Sequence, residues 1–465
     1  MEEFIWALII VLGAPGLALP TIDYIRRTRV SPYVTLIATA LAAALLIPLI
    51  GRNATVLSGS LRVDPLSTYI SLIATLGSFL VTLASLPHAR EWSTSPSLYS
   101  LILLSLLGVY FILYANDVSV VIAAWALVAV ASYVIVGVRK DDRSLEASVK
   151  YAIMGVTSSS LLIFGVAIVF GIVRSSSLSS VEYVPPNLRL LLLLGALLLI
   201  AAFGFKMGVV PFHAWLPDVY GGAHPILVSF VSGVIKLISI GAFIRVLLPL
   251  IQPLGEYWLS TIALLSIITM FYGNLAALVQ RNVQRMMAYS SIAQAGYFLI
   301  AFAALYSASA SKLALQAIGL QVTTYVLAKV GIFVGLAYLE RKGLDLTLDG
   351  LRGVGRTMKI SCSMLSILML SLMGMPPLIG FWSKFMYVFL SAIDLAPWLV
   401  LIGVINSGIS VGYYAQVIRF MYFANPAEGF KESSRDAELY VLLATGLLTV
   451  LLGLGLIDKL TGIFS

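Results

Sequence analysis

Runs of about 20 apolar residues, each ended by proline, glycine or charge, recur along almost the whole chain, and that is the length at which an α-helix crosses a bilayer. Such repetition leaves little else to fold into. In lipid every backbone N–H and C=O must be satisfied within the structure, so each run is expected to be helical. Breaking the chain at Pro, Gly and charge gives about fourteen runs, near residues 4–20, 32–50, 65–86, 97–115, 118–138, 147–173, 188–211, 225–250, 257–279, 288–306, 311–339, 360–391, 397–422 and 437–458. Charged residues make up only 11% of the sequence and apolar residues 60%, too little charge to clothe a water-soluble surface of this size. The expected fold is an all-α polytopic membrane protein. Soluble, fibrous and nucleic-acid-binding classes are excluded. The acidic start, Glu2 and Glu3, is wrong for a cleaved signal peptide, so the first run is expected to be a retained helix.

The net charge of +8 sits in short loops and reports orientation. Loops after odd-numbered runs hold sixteen basic residues: Arg26, Arg27, Arg29, Arg90, Arg139, Lys140, Arg143, Arg281, Arg285, Arg341, Lys342, Arg352, Arg356, Lys359, Lys431 and Arg435. The opposite side holds six: Arg52, Arg62, Arg174, Arg189, Lys312 and Lys459. The positive-inside rule therefore places the first set in the cytoplasm and both termini outside, with the cell membrane as the expected location. A single cysteine, Cys362, can form no internal disulfide and no cysteine-ligated cluster, so any redox chemistry must run through other chains.

A weak internal repeat is visible. Met207-Gly208-Val209-Val210-Pro211, followed by Trp215, returns as Met373-Gly374-Met375-Pro376-Pro377, followed by Trp382. Interrupted helices at matching positions in two halves are a sequence pointer to an ion path. If runs 4–8 and 9–13 form two five-helix blocks, the second copy is inverted relative to the first. The expected organisation is helices 1–3 over 1–96, one repeat over 97–250, the inverted repeat over 251–423, and a final helix over 424–465.

Four lysines lie well inside apolar runs: Lys206, Lys236, Lys329 and Lys384. At about 2.5–3.5 kcal/mol each on insertion scales they cost roughly 10–14 kcal/mol together. A hydrated interior path explains such a cost, and lysine, unlike arginine, can be neutralised by burial and so load and release a proton. The alternative is snorkelling of a side chain to the headgroups, strongest for Lys206 and Lys384, which lie near breaks. Arg245 and Arg419 lie close to run ends and are expected to be interfacial anchors. His213 and His224 flank the loop Ala214–Ala223, where either could relay protons or simply bond a carbonyl. Asp117 and Glu146 stand at run ends, where they either mark the interface or take a functional role. No metal-ligand spacing surrounds any of them.

These residues carry a family resemblance. Phe205-Lys206-Met207-Gly208-Val209-Val210-Pro211-Phe212-His213-Ala214-Trp215-Leu216-Pro217-Asp218 is similar to the signature of the antiporter-like membrane subunits of respiratory complex I, which are related to Mrp-type cation/proton antiporters and membrane-bound hydrogenases. The stretches Arg285–Tyr297, Gly374–Phe385, Val404–Ser407, Tyr413-Tyr414 and Met421–Phe423 resemble subunit N of NADH–quinone oxidoreductase in particular. The similarity runs from about Asp64 to about residue 423. It implies fourteen helices, two inverted five-helix repeats and broken helices 7 and 12. It also implies that Lys206 stands on broken helix 7, Lys236 on helix 8, Lys329 at the centre and Lys384 on broken helix 12, linking two half-channels. No cofactor is implied for this chain. Partner subunits would carry iron–sulfur clusters, flavin and a quinone site. The implied partners are sister antiporter-like chains and other membrane-arm subunits, coupled to a peripheral redox arm.

One departure stands out. Where the family has a glutamate on helix 5, usually paired to the helix-7 lysine, this chain has Ala126 within Ala124–Tyr133. Three functions stay open: a proton-translocating subunit of a complex I-like oxidoreductase, a Mrp-type cation/proton antiporter subunit, and a structural subunit with one degenerate half-channel.

Overall fold

Proline and short acidic or amide side chains start the helices of this chain, because a helix N-terminus has backbone donors to satisfy and one position where proline costs nothing. In a computed structural model, which describes residues 1–26, 30–178, 184–423, 430–432 and 436–463, Asp64 accepts from Ser67 N (2.9 Å), Asp117 from Ser119 N (2.8 Å), Asp141 from Ser144 N (2.9 Å) and Asn282 from Arg285 N (2.9 Å). Arg27, Arg29 and Arg435 of the basic set lie outside the described residues. Asp117 is therefore a cap, and Glu146 pairs with Lys150 at 2.8 Å; both serve helix ends.

Twelve helices among the described residues are long and apolar enough to cross a membrane: Glu2–Ile25, Ser31–Leu49, Pro65–Ala84, Ser95–Tyr114, Val118–Val136, Asp142–Val173, Arg189–Met207, Pro225–Leu254, Glu256–Leu278, Val283–Ala304, Ser311–Arg341 and Pro397–Phe423. Two shorter apolar helices, Lys359–Met373 and Ala437–Gly453, fall on the twelfth and fourteenth apolar runs. One feature departs from an all-helical reading. Ala54–Val56 and Leu61–Val63 form a small antiparallel hairpin between the second and third spans. Its strands are three residues each, too short to carry the apolar periodicity by which strands are recognised.

Ser311–Arg341 is the axis of the molecule, its most apolar stretch wholly buried. It packs against Pro65–Ala84, Pro225–Phe230, Val283–Ala304, Lys359–Met373, Trp382–Phe389 and Ala437–Gly453. The loops segregate to two ends. At one end His88 meets Glu438, Arg139 and His224 meet Glu340, and Arg281 meets Asp349. At the other, Leu61 bridges Ala115, Leu178 N donates to Asn116 O, and Arg245 meets Asp64. The first group comes from loops and helix ends after odd-numbered apolar runs, the second from those after even-numbered ones.

Two helices break and resume. Arg189–Met207 ends at Gly208 (φ +85°) and continues, after a seven-residue turn region, as Trp215–Gly222. Lys359–Met373 ends at Gly374 (φ +95°) and continues as Ile379–Phe381, Trp382–Phe389 and Leu390–Ala392. Both φ values lie in the left-handed region that favours glycine. A Cβ at Gly208 would also stand 2.5 Å from Leu216, and one at Gly374 2.7 Å from Phe385. Part of the stretch expected as a loop, Ala214–Ala223, is thus the second half of a broken helix. Trp215 holds it, donating from Nε1 to Phe205 O at 2.8 Å and stacking on Tyr151. Wide π-helical turns occur at Val231–Ile235, Phe243–Leu247 and Trp382–Phe389.

The Arg245 side chain is only 10% exposed. Its guanidinium turns inward, bonds the Asp64 carboxylate, and donates to Leu113 O (2.5 Å), Arg62 O (2.9 Å) and Ser67 Oγ (2.7 Å). Arg419 is exposed.

Candidate functional site

All four lysines are buried, none more than 2% exposed, so none reaches toward headgroups through the protein surface. Lys206 stands at a helix end, Lys236 beside a wide turn and Lys384 within one, whereas Lys329 lies mid-helix. Among the described residues none has a carboxylate within ion-pair distance; hydroxyls, carbonyls and tyrosine faces take its place.

Lys206, one residue before the end of Arg189–Met207, donates to Ser132 Oγ (2.7 Å) and Tyr151 OH (2.8 Å). The rings of Tyr133 and Tyr151 cover its ammonium at 4.7 and 4.5 Å from their centroids. Cation–π contacts of this kind are worth about 2 kcal/mol when desolvated. The resemblance puts Ala126 in the place of an acidic partner, yet Ala126 is on the exposed face of Val118–Val136. Six residues separate it from Ser132, about 120° around the helix and about 9 Å along it. Ser132, on the buried face, and its neighbour Tyr133 are the residues of that helix that meet Lys206.

This cradle makes a stability prediction. Removing both acceptors with Ser132→Ala and Tyr151→Phe leaves a buried ammonium without hydrogen bonds and is expected to cost about 2–4 kcal/mol. Lys206→Met removes the charge as well and is expected to cost less. Thermal unfolding of the purified membrane assembly checks the order; the reverse order would rule out a charged Lys206 held by these hydroxyls.

Lys236 and Lys329 form one constellation. Lys236 follows the wide turn Val231–Ile235 and donates to Ser291 O at 3.2 Å. Lys329, midway along the axial helix, donates to Met287 O (2.9 Å) and Ser290 Oγ (2.8 Å). Both ammonium groups lie over the Tyr325 ring, at 5.2 and 5.9 Å from its centroid. They are therefore no more than about 11 Å apart, where two charges at an effective dielectric of about 20 repel by roughly 1.5–2 kcal/mol. Protonating one disfavours protonating the other.

Beyond Lys329 the polar groups continue. Ser290 Oγ pairs with Tyr414 OH at 2.5 Å, and Tyr413 OH donates to Asn274 Oδ1 at 3.2 Å. Gln294, Gln321, Ser383 and Thr324 form a buried chain: Gln294 Nε2 donates to Leu372 O, Gln321 Nε2 to Gln294 Oε1, Ser383 Oγ to Gln321 Oε1, and Thr324 Oγ1 to Ser383 Oγ. It ends beside Lys384, which lies in the wide turn Trp382–Phe389 and donates to Leu372 O (2.8 Å) and Met373 O (3.3 Å), with Tyr297 at 4.2 Å. Tyr325, Tyr151 and Tyr297 were not singled out in the sequence. In a chain this rich in tyrosine only their position, not their type, marks them.

The two histidines part company. His213 lies in the first break, half of an edge contact with Tyr272 (4.3 Å), and its Nδ1 has no partner. His224 lies at the end that carries the basic loops, where its Nδ1 accepts from Ile226 N at 3.2 Å and caps Pro225–Phe230. Neither touches a lysine of the row directly.

Residues 115–410 match the family model described as NADH:quinone oxidoreductase/Mrp antiporter, TM. The chain is similar to F(420)H(2) dehydrogenase subunit N of Methanosarcina mazei, 32% identical over 391 residues that cover 81% of this chain and 78% of that one. It is also similar to NADH-quinone oxidoreductase subunit N of Paramagnetospirillum magneticum, 30% identical over 437 residues, 90% of this chain and 88% of the other. Among solved structures, a chain of respiratory complex I from Thermus thermophilus with bound aureothin superposes with a TM-score of 0.82 at 27% identity, covering 97% of this chain and 99% of that one.

Proposed function

The chain belongs to the NADH:quinone oxidoreductase/Mrp antiporter transmembrane family, and from that premise we propose that it is a proton-translocating membrane-arm subunit of a complex I-like oxidoreductase. Lys236 and Lys329 over one tyrosine carry this reading. Two buried ammonium groups that repel through a shared ring can pass a protonation change along the membrane plane without a large movement. Lys206 would sit at the head of the row and Lys384 at its exit, with Ser290, Gln294, Gln321 and Ser383 supplying hydrogen-bond steps. The four lysines would belong to two inverted five-helix repeats. The basic loops would face the cytoplasm of a cell membrane, and both termini the outside. Electrons would stay in partner subunits carrying iron–sulfur clusters, flavin and a quinone site, and sister antiporter-like chains would adjoin this one.

The test is proton transport by the intact assembly in vesicles. Lys236→Ala and Lys329→Ala are each expected to remove the share of redox-driven proton uptake that this subunit carries, a loss on the scale of a missing acid–base group, at least about 100-fold for that route. Uptake equal to the unaltered assembly in both variants would sink the assignment. Identifying the chains that co-purify separates this reading from a Mrp-type antiporter: redox subunits in one case, small cation-antiporter subunits in the other. The third reading, a first half-channel that has lost its function, is favoured by one observation, the absence of a carboxylate beside Lys206 among the described residues. It expects Lys206 to tolerate replacement without loss of transport.

A further inference from the structure

His224 does more than a cap requires. Ser, Thr, Asp or Asn normally fills that position, because all it needs is one small acceptor. Here a buried imidazole fills it, and its second nitrogen, Nε2, is turned to Glu340 Oε2 at 3.6 Å. The Glu340 side chain is 37% exposed and that oxygen has no hydrogen-bond partner. A partly exposed carboxylate whose inner oxygen is buried, a buried imidazole and a helix start therefore stand next to one another.

The helix that His224 caps leads to the lysine pair. Ser229, Ser232 and Lys236 follow along it, all buried. Ser229 Oγ donates to Ile226 O at 2.6 Å, and Ser232 Oγ pairs at 3.2 Å with the hydroxyl of Tyr325, whose ring carries Lys236. The buried Tyr220 hydroxyl, turned toward Ser232 and Tyr325, belongs to the helical turn just before His224.

We propose that His224 is the proton-transfer residue at the mouth of the path to Lys236, held here with its helix-side nitrogen closed by the Ile226 N–H and its other nitrogen turned to Glu340. This rests on the proton-translocating reading above. The steps conserve the proton. With Nδ1 protonated and Nε2 bare, the ring accepts a proton from the Glu340 carboxyl at Nε2 and becomes an imidazolium. It then gives up the Nδ1 proton inward to the hydroxyls that lead to Lys236, and the freed Nδ1 lone pair takes the Ile226 N–H; a rotation of the ring that brings its bare nitrogen to Glu340 and its remaining N–H inward readies it for the next proton. In that closed form Nδ1 can accept no proton from inside, so the cap is a latch against back-flow.

The surroundings keep the ring neutral between transfers. Burial first, then the charges of His88 and Arg139, hold the His224 imidazole well below its ordinary value, so it carries charge only while a proton passes. The His88 ring meets it edge-on at 4.7 Å, and Trp92 lies 5.0 Å away. His88 itself faces Glu438 Oε1 (3.3 Å) and Glu91 Oε2 (3.8 Å). From the neighbouring elements Arg139 pairs with Asp141 (3.1 Å) and approaches Glu340 (3.9 Å), while Arg341 binds Glu438 (2.7 Å) and Asp436 (2.6 Å).

His224→Asn keeps a cap acceptor and removes the transferable ring proton; His224→Gln is the second variant should the first not assemble, with co-purification of partner chains as the check. In vesicles bearing the intact assembly, the expected result is loss of the same share of redox-driven proton uptake that Lys236→Ala removes, at least about 10-fold for that route at pH 8. Glu340→Gln is expected to give a deficit that narrows as the pH on that side falls from about 8 to about 6, where bulk protons can load the ring directly. Uptake and pH profile unchanged in His224→Asn, with Lys236→Ala still deficient, overturn the port and leave the function reading standing. Uptake unchanged in Lys236→Ala and Lys329→Ala as well overturns both.

Discussion

Gly380→Ala is expected to prevent stable accumulation of the chain in its membrane assembly. A Cβ at Gly380 would fall 1.8 Å from Ser371 O and 2.6 Å from Ser371 C, both backbone atoms, and neither can swing aside. The contact lies where the two halves of the second broken helix cross, and the Gly380 N–H donates to Ser371 Oγ at 3.2 Å in the same place. Overpacking against backbone costs about 3 kcal/mol or more, a large part of a typical domain's stability. Lys384 lies one turn further on, so any accommodation would also move its ammonium from Leu372 O. Gly408→Ala is the control: nothing lies within 4 Å of its Cβ, and in mid-helix the change should be neutral or stabilising by up to about 1 kcal/mol. Membrane levels and co-purification of the two variants give the answer. Equal yields would mean that the break does not close as described.

Arg245→Ala is expected to cost about 2–3 kcal/mol, because it leaves Asp64 and two carbonyls without their common donor at a half-buried site. The guanidinium joins the loop before Pro65–Ala84 to the end of Ser95–Tyr114 and to its own helix, Pro225–Leu254, so three spans lose their common tie. The double variant Arg245→Met with Asp64→Asn removes both charges together and should recover a good part of the loss, since hydrophobic replacement of a whole buried pair is often near neutral. Thermal unfolding of the four forms gives the coupling as a double-mutant cycle. Additive losses, or an Arg245→Ala cost below about 1 kcal/mol, would show the pair to be no more than a surface salt bridge.

Much of this architecture was legible in the sequence, and for definite reasons. Glycine and proline inside long apolar runs marked both breaks, because Gly208 and Gly374 occupy a backbone region that other residues avoid. Lysines in mid-run marked the polar row, because charge in lipid is too costly to be incidental. Direction was not legible. Arg245 lies close to a run end, and only the fold shows that its side chain turns back toward Asp64. Val118–Val136 is apolar on every side, so periodicity could not say that Ala126 faces outward while Ser132 faces Lys206. His88 drew no attention because it sits in a short loop; it matters only through the fold, which sets it beside His224 and Glu438 from distant parts of the chain. Ala214–Ala223 read as a loop because Pro217 and two glycines suggest one, whereas Trp215 stacking on Tyr151 supplies the packing that holds a helix there.

The wide turns at Val231–Ile235 and Trp382–Phe389 have a consequence for how this row can change over time. A π-turn holds one residue more than the α-turn it replaces, and each residue rotates an α-helix by about 100°. The azimuth of Lys236 and of Lys384 is thus fixed by a count as well as by a residue type. Losing a single position from either turn would aim the amine at a different neighbour while leaving every side chain's identity intact. Insertions and deletions, which other helices of this kind could absorb by sliding, are here as consequential as replacing the lysines themselves.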